Sequence, residues 1–164
     1  MDLNELILAQ GYVRPSDDEL RARLTKQQYN ITQMQIMEPP NSSPYCDLFD
    51  PGIYVDITTG EPLFSSQDKF KTESGWPAFR KPIVAEVVTE HMLVGCGSVR
   101  IRLRSRAGNA HIGFLSKDAP VETQGSRYRI DGDALRFISL ADLEAQGYDY
   151  LSELFAQLML SHST

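Results

Sequence analysis

The 164-residue chain carries little of what metal and thiol chemistry draw on: two cysteines, three histidines and one tryptophan. Cys46 and Cys96 form no C-x-x-C pair, and His91, His111 and His162 are scattered. A tetrahedral zinc site needs four ligands, which here would come from distant segments, so neither a metal nor another cofactor is expected. Apolar runs fall short of the roughly 18 residues that span a bilayer, which argues against a membrane helix. The opening MDLNELILAQGYVR starts acidic, without a basic n-region or a small-residue cleavage site. A cytoplasmic location is the expectation, with both cysteines reduced. Positive charge is in deficit too. A formal net charge of -6 argues against general nucleic-acid binding.

What is present suits one soluble domain with a proper core: 41% hydrophobic and 23% charged residues. The first forty residues read as helical. Ser16-Asp17-Asp18-Glu19 has the S-x-x-E capping form, and Thr25-Lys26-Gln27-Gln28 repeats it as T-x-x-Q before Tyr29 and Ile31. Pro39-Pro40 and Asn41-Ser42-Ser43-Pro44 then stop helical structure.

From Ile53 the pattern turns to strands: Ile53–Ile57, Ile83–Val88, His91–Val94, Val99–Leu103, Arg127–Ile130 and Ala134–Phe137. Short helices are expected over Leu140–Gln146, closed by Gly147, and from Tyr150 to Leu160. The fold class is therefore α+β, mainly β, with antiparallel sheets and helical ends. Residues 1–40 form a helical segment packing on a β domain of residues 41–164, a single domain overall.

Two arginine patterns stand out. Arg100, Arg102, Arg104 and Arg106 recur at period two, which puts all four on one strand face over about 20 Å. Such a stripe either pairs with acids on a neighbouring strand or binds an anion or single-stranded nucleic acid. In Arg127-Tyr128-Arg129-Ile130-Asp131 the same alternation puts Arg127, Arg129 and Asp131 on one side, where Arg129 and Asp131 are expected to pair. Cys46 stands next to Asp47, an acid that weakens its thiolate, whereas Cys96 precedes arginines able to activate it.

The segments GIYVDITTGEPLFSSQDKF and SGWPAF (within Gly52–Phe79), GSRYRIDGDALRF (Gly125–Phe137) and SDDELRARLTKQQYNITQ together resemble the type B methionine sulfoxide reductases. That family reduces the R epimer of methionine sulfoxide, and the resemblance covers roughly residues 16 to 150. It implies two small antiparallel sheets with peripheral helices. It also implies a cleft in which Trp76 of Gly75-Trp76-Pro77 grips the S-methyl group by dispersion and sulfur–aromatic contact, unless Trp76 is simply a core residue.

The departures from the family are as informative as the matches. Where the family reads R-Y-C-I-N, with the cysteine as nucleophile, this chain has Arg129 for the cysteine and Asp131 for the asparagine. A guanidinium is protonated and has no lone pair to offer, so it cannot attack sulfur. Of the family's two imidazoles, His111 is kept, either as a proton donor or as a structural residue, and Phe114 replaces the second. Arg127 matches the family's arginine before the cysteine, and Asp118 matches the acid of the D-G-P turn, with Ala119 for its glycine. Arg102 stands where family members usually have an acid. Asp56, Thr59, Ser105 and Gly108 stand where many members place two C-x-x-C pairs, which points to the zinc-free branch.

The resemblance therefore implies a substrate pocket of Trp76, His111, Phe114, Arg127, Arg129 and Asp131 without its nucleophile. The expected role is a peptide or small-ligand binding module for methionine- or methionine-sulfoxide-containing peptides. The alternatives are an active reductase working through Cys96 or Cys46 with thioredoxin, and anion or nucleic-acid binding on the Arg100–Arg106 stripe.

Overall fold

The computed structural model describes residues 2–95, 98–116 and 127–156. Three short helices open the chain: α1 (Leu3–Leu8), α2 (Asp17–Arg23) and α3 (Lys26–Met34). Each begins at a side-chain cap that satisfies an otherwise orphaned amide. Asp2 and Glu5 cap α1 reciprocally, Ser16 Oγ accepts from Glu19 N at 3.2 Å, and Thr25 and Gln28 form a full capping box. These helices are too short to stand alone and are held by buried anchors, with Ile7 and Ile31 entering the main core. No helix among the described residues is long and apolar enough to cross a membrane.

Among the described residues the strands are β1 (Gly52–Asp56), β2 (Pro62–Ser65), β3 (Lys69–Phe70), β4 (Ala78–Phe79), β5 (Val88–Gly95), β6 (Ser98–Ser105), β7 (His111–Ser116), β8 (Arg127–Ile130) and β9 (Leu135–Ser139). They build a three-stranded sheet, β2-β1-β9, and a six-stranded sheet, β3-β4-β8-β7-β6-β5, antiparallel throughout. Rings from both sheets lock them together: Phe64 stacks on Phe79 at 4.5 Å, and Tyr54 meets Phe79 edge-on at 5.1 Å. The α+β, mainly β architecture is as the sequence reads.

Two segments differ from the sequence expectation. Ile83–Val88 is not a strand: Ala85–Val87 is a 3-10 turn, and only Val88 joins β5. Ile83 and Val87 act as separate core plugs, and Ile83 N donates to Leu63 O of the other sheet at 2.8 Å. The C-terminal helices are 3-10 turns, Leu140–Asp142 and Asp149–Phe155, with Leu151 and Phe155 buried between them and the sheets. The rest of the expected last helix lies outside the described residues.

Lys69 of β3 is buried without a carboxylate partner among the described residues. Its ammonium donates to the carbonyls of Tyr45 and Leu48 and, at 3.0 Å, to Tyr54 Oη, fastening the 3-10 turn Pro44–Asp47 to the six-stranded sheet. Burial pulls its pKa down to about 8, against support from Cys46 and Asp47.

Candidate functional site

Strand β8 separates two environments. Ile130 is buried and Tyr128 packs against the main core, while Arg127 and Arg129 take the opposite side. Arg129 is flanked by Ala78 on β4 and Phe114 on β7, and Phe114 in turn by Arg102 on β6. A single row across the sheet thus reads Arg102, Phe114, Arg129. A register shift between Leu103 and Arg104 brings His111 onto this row's side, with its ring edge-on to Phe114 at 5.5 Å.

Trp76 stands beside β8 on the loop before β4. Gly75 turns that loop at φ +93°, and a Cβ there would lie 2.8 Å from Pro40 Cβ. The loop is clamped to the Pro39-Pro40 connector by Asn41 N donating to Gly75 O at 2.8 Å, and by Trp76 Nε1 donating to Glu38 O at 3.0 Å. The indole is left half-buried, with Arg129 Cζ 4.7 Å from its ring centroid. Burial, then the nearby Arg100 and Arg127 charges, hold the Arg129 guanidinium below its ordinary pKa against the opposing pull of Asp131.

The expected Arg129–Asp131 pair does not form. The strand ends at Ile130, and Asp131 enters a 3-10 turn, donating its N–H to Ile112 O at 2.8 Å. Its carboxylate swings instead to His111, with Oδ2 3.2 Å from Nε2 and both residues at or below 5% exposure. The contact is a close electrostatic approach and not an aligned hydrogen bond, since Asp131 Oδ2 and His111 Nδ1 have no hydrogen-bond partner. Sequence alternation misses this because period two holds only while the chain stays extended.

Glu38 is the residue that sequence reasoning misses. It is fully buried, and its two oxygens accept from Gly132 N at 2.8 Å and Asp133 N at 2.9 Å. A Cβ on Gly132 would lie 1.9 Å from Ser43 Oγ, so only glycine lets this turn come so close. Through its side chain and its carbonyl, Glu38 joins β8's exit to Trp76. Burial raises its pKa to about 7, partly offset by the two backbone N–H groups and reinforced by Asp131 and Asp133.

A carboxyl whose folded pKa exceeds its unfolded value lets the native state hold the extra proton. Its contribution is fully present below about 4.5 and is lost as pH rises through about 7. We therefore expect unfolding titrations to show a stability decline from pH 5 to 8 of about 1–2 kcal/mol that Glu38→Gln removes. Equal slopes in both proteins would dismiss Glu38 as its source.

Cys46 sits near this junction, with Sγ 3.4 Å from Gly75 O. Burial, Glu38 and Asp47 push its thiol pKa up, with Lys69 opposing, so the thiolate is disfavoured. Cys96 and Asp118 lie outside the described residues. The arginine stripe divides: Arg106 turns away to Glu61 Oε2 (3.0 Å) and Asn4 Oδ1 (2.8 Å), whereas Arg100 and Arg102 lie over Phe114 at 4.3 and 5.7 Å. At the positions where the resemblance places zinc ligands, Asp56 Oδ1 accepts from Thr58 N and Oγ1, and Ser105 Oγ accepts from Ala110 N. One carboxylate among hydroxyls and a glycine does not fit a structural zinc ion.

Two antiparallel sheets, with a G-W-P tryptophan standing beside position 129, define a scaffold of the type B methionine sulfoxide reductase class. A family model described as the SelR domain matches residues 24–139, and the chain belongs to that family, whose activity is methionine-R-sulfoxide reduction.

Proposed function

We propose that this SelR domain is a catalytically silent, zinc-free member of its family that binds a peptide or small ligand in the cleft around Trp76. The observation that carries the reading is Arg129. It stands where the resemblance places the nucleophilic cysteine, and its guanidinium lies over the Trp76 ring at 4.7 Å. A thiolate must attack sulfur for reduction to begin, and general acid–base groups alone supply only about 10²–10⁴-fold. Phe114 and the buried His111–Asp131 contact further remove the imidazole arrangement that the resemblance implies. Trp76, His111, Phe114, Arg127, Arg129 and Asp131 are assigned to the cleft, and methionine- or methionine-sulfoxide-containing peptides to its ligand class.

The purified protein is expected to leave methionine-R-sulfoxide unreduced, free or in a peptide, with either dithiothreitol or thioredoxin. Turnover at ordinary enzyme rates that disappears in Cys46→Ser or Cys96→Ser would replace this reading with an active reductase. Cys46 touches the Trp76 loop through Gly75 O, yet its raised pKa works against it.

A further inference from the structure

We infer that the ligand of this cleft is an extended acidic peptide, with carboxylate side chains at alternate positions gripped by Arg100, Arg102, Arg127 and Arg129. The inference rests on the peptide-binding reading above and supplies its charge and conformation. Arg102 and Arg129 lie on either side of Phe114 in one row, and Ser116 pairs with Arg127 in the next, toward which β6 carries Arg100. Residues two apart on a strand are separated by about 6.6 Å, and strands two apart by about 9.6 Å. An extended peptide repeats its like-facing side chains at that same spacing of about 6.6 Å, so carboxylates at alternate positions match an arginine pair along either strand.

The guanidiniums are arranged to offer their edges. Arg100 and Arg102 lie over the Phe114 ring at 4.3 and 5.7 Å, and Arg129 lies over Trp76 at 4.7 Å. Stacking spends the flat face and leaves N–H edges that match a carboxylate, with Arg102 Nη1 already held by Gln35 Oε1 at 2.6 Å and its other N–H groups left to fork. None of the four makes an ion pair with an acid among the described residues, and the buried Nε atoms of Arg102 and Arg127 have no hydrogen-bond acceptor. Four cations crowded on one sheet face of a chain with net charge -6 form a local field that an anion relieves. Carboxylates fit better than nucleic acid. Base binding needs open aromatic faces, and an arginine of the protein itself already lies over each of the Phe114 and Trp76 rings.

Trp76 is the chain's only tryptophan, so its fluorescence reads the cleft directly. The probes are a capped hexapeptide alternating glutamate with threonine, its glutamine counterpart, a neutral methionine-containing hexapeptide and a thymidine hexanucleotide. The glutamate peptide is expected to bind at least about tenfold tighter than the glutamine one at low salt, and to weaken by a similar factor between 50 and 300 mM NaCl. Arg100→Gln/Arg127→Gln, with its unfolding midpoint checked, should abolish the preference. If that variant does not fold, the salt titration of the native chain decides instead. Equal binding of the glutamate and glutamine peptides overturns this inference, and binding of the methionine peptide then leaves the peptide-binding reading standing. Tighter binding of the hexanucleotide overturns it in favour of nucleic acid. Silence toward every probe removes both readings.

Discussion

Replacing Glu38 by alanine is expected to lower the unfolding midpoint by roughly 6–12 °C at neutral pH, one of the largest stability effects open to a single substitution here. The carboxylate is fully buried and satisfies two backbone amides, Gly132 N and Asp133 N, that are distant in sequence. Removing it leaves both donors without an acceptor, at about 1–3 kcal/mol each, and opens a void. For a chain of this size about 1 kcal/mol moves the midpoint by roughly 2–4 °C. Glu38→Gln keeps one acceptor and should lose about half as much. The Glu38 backbone carbonyl that accepts from Trp76 Nε1 survives in the alanine variant but loses the side-chain anchors that position it, so tryptophan emission should change before unfolding. Calorimetry that finds the alanine variant within about 1 kcal/mol of the native chain would mean that water replaces the carboxylate with little loss.

The second large effect is a gain of activity. Arg129→Cys/Asp131→Asn/Phe114→His should reduce methionine-R-sulfoxide with dithiothreitol, whereas Arg129→Cys alone should give little. Phe114 is the direct cross-strand neighbour of position 129, so histidine there brings an imidazole to the new thiol. Asp131 faces His111 at 3.2 Å, and converting it to asparagine removes a buried anion that would raise the thiol's pKa. The imidazole is the source of acid–base help, worth about 10²-fold or more, so the triple variant should exceed the single one by at least that factor. A folded triple variant that reduces nothing would show that the cleft has changed shape as well as chemistry.

Much of this arrangement is legible in the sequence, for reasons that can be named. The caps at Ser16 and Thr25 are local chemistry, so S-x-x-E and T-x-x-Q announce them. Alternation in Val99–Leu103 marks β6 because one face is apolar and the other charged. The SelR match over residues 24–139 supports the scaffold that the resemblance to the type B reductases implies, and the cleft around Trp76 is proposed on that resemblance. What stays hidden is long-range. Glu38 is a single acid near two prolines, with partners beyond position 130, and no local pattern marks it. Arg129 and Asp131 look like a pair only if the strand continues, and Asp131's backbone has already turned. Ile83–Val88 has the composition of a strand, but its residues serve as separate plugs between the sheets.

Lys69 gives Glu38 a counterpart of opposite sign. Burial lowers the lysine to about 8 and raises the acid to about 7. Falling pH neutralises the acid and rising pH neutralises the lysine, so the buried charges coexist around neutrality. The unfolded chain holds the lysine's proton longer, so this group adds stability as pH climbs from 8 toward 10.5, while the acid adds it as pH falls from 7 toward 4.5. Together the two groups carve a shallow saddle at neutrality, with firmer ground on its acidic and alkaline sides. A medium that drifts either way relieves the cost of burying one of the two charges, even as it weakens the charged hydrogen bonds that hold the Pro44–Asp47 turn on β3 or β8's exit on the tryptophan loop.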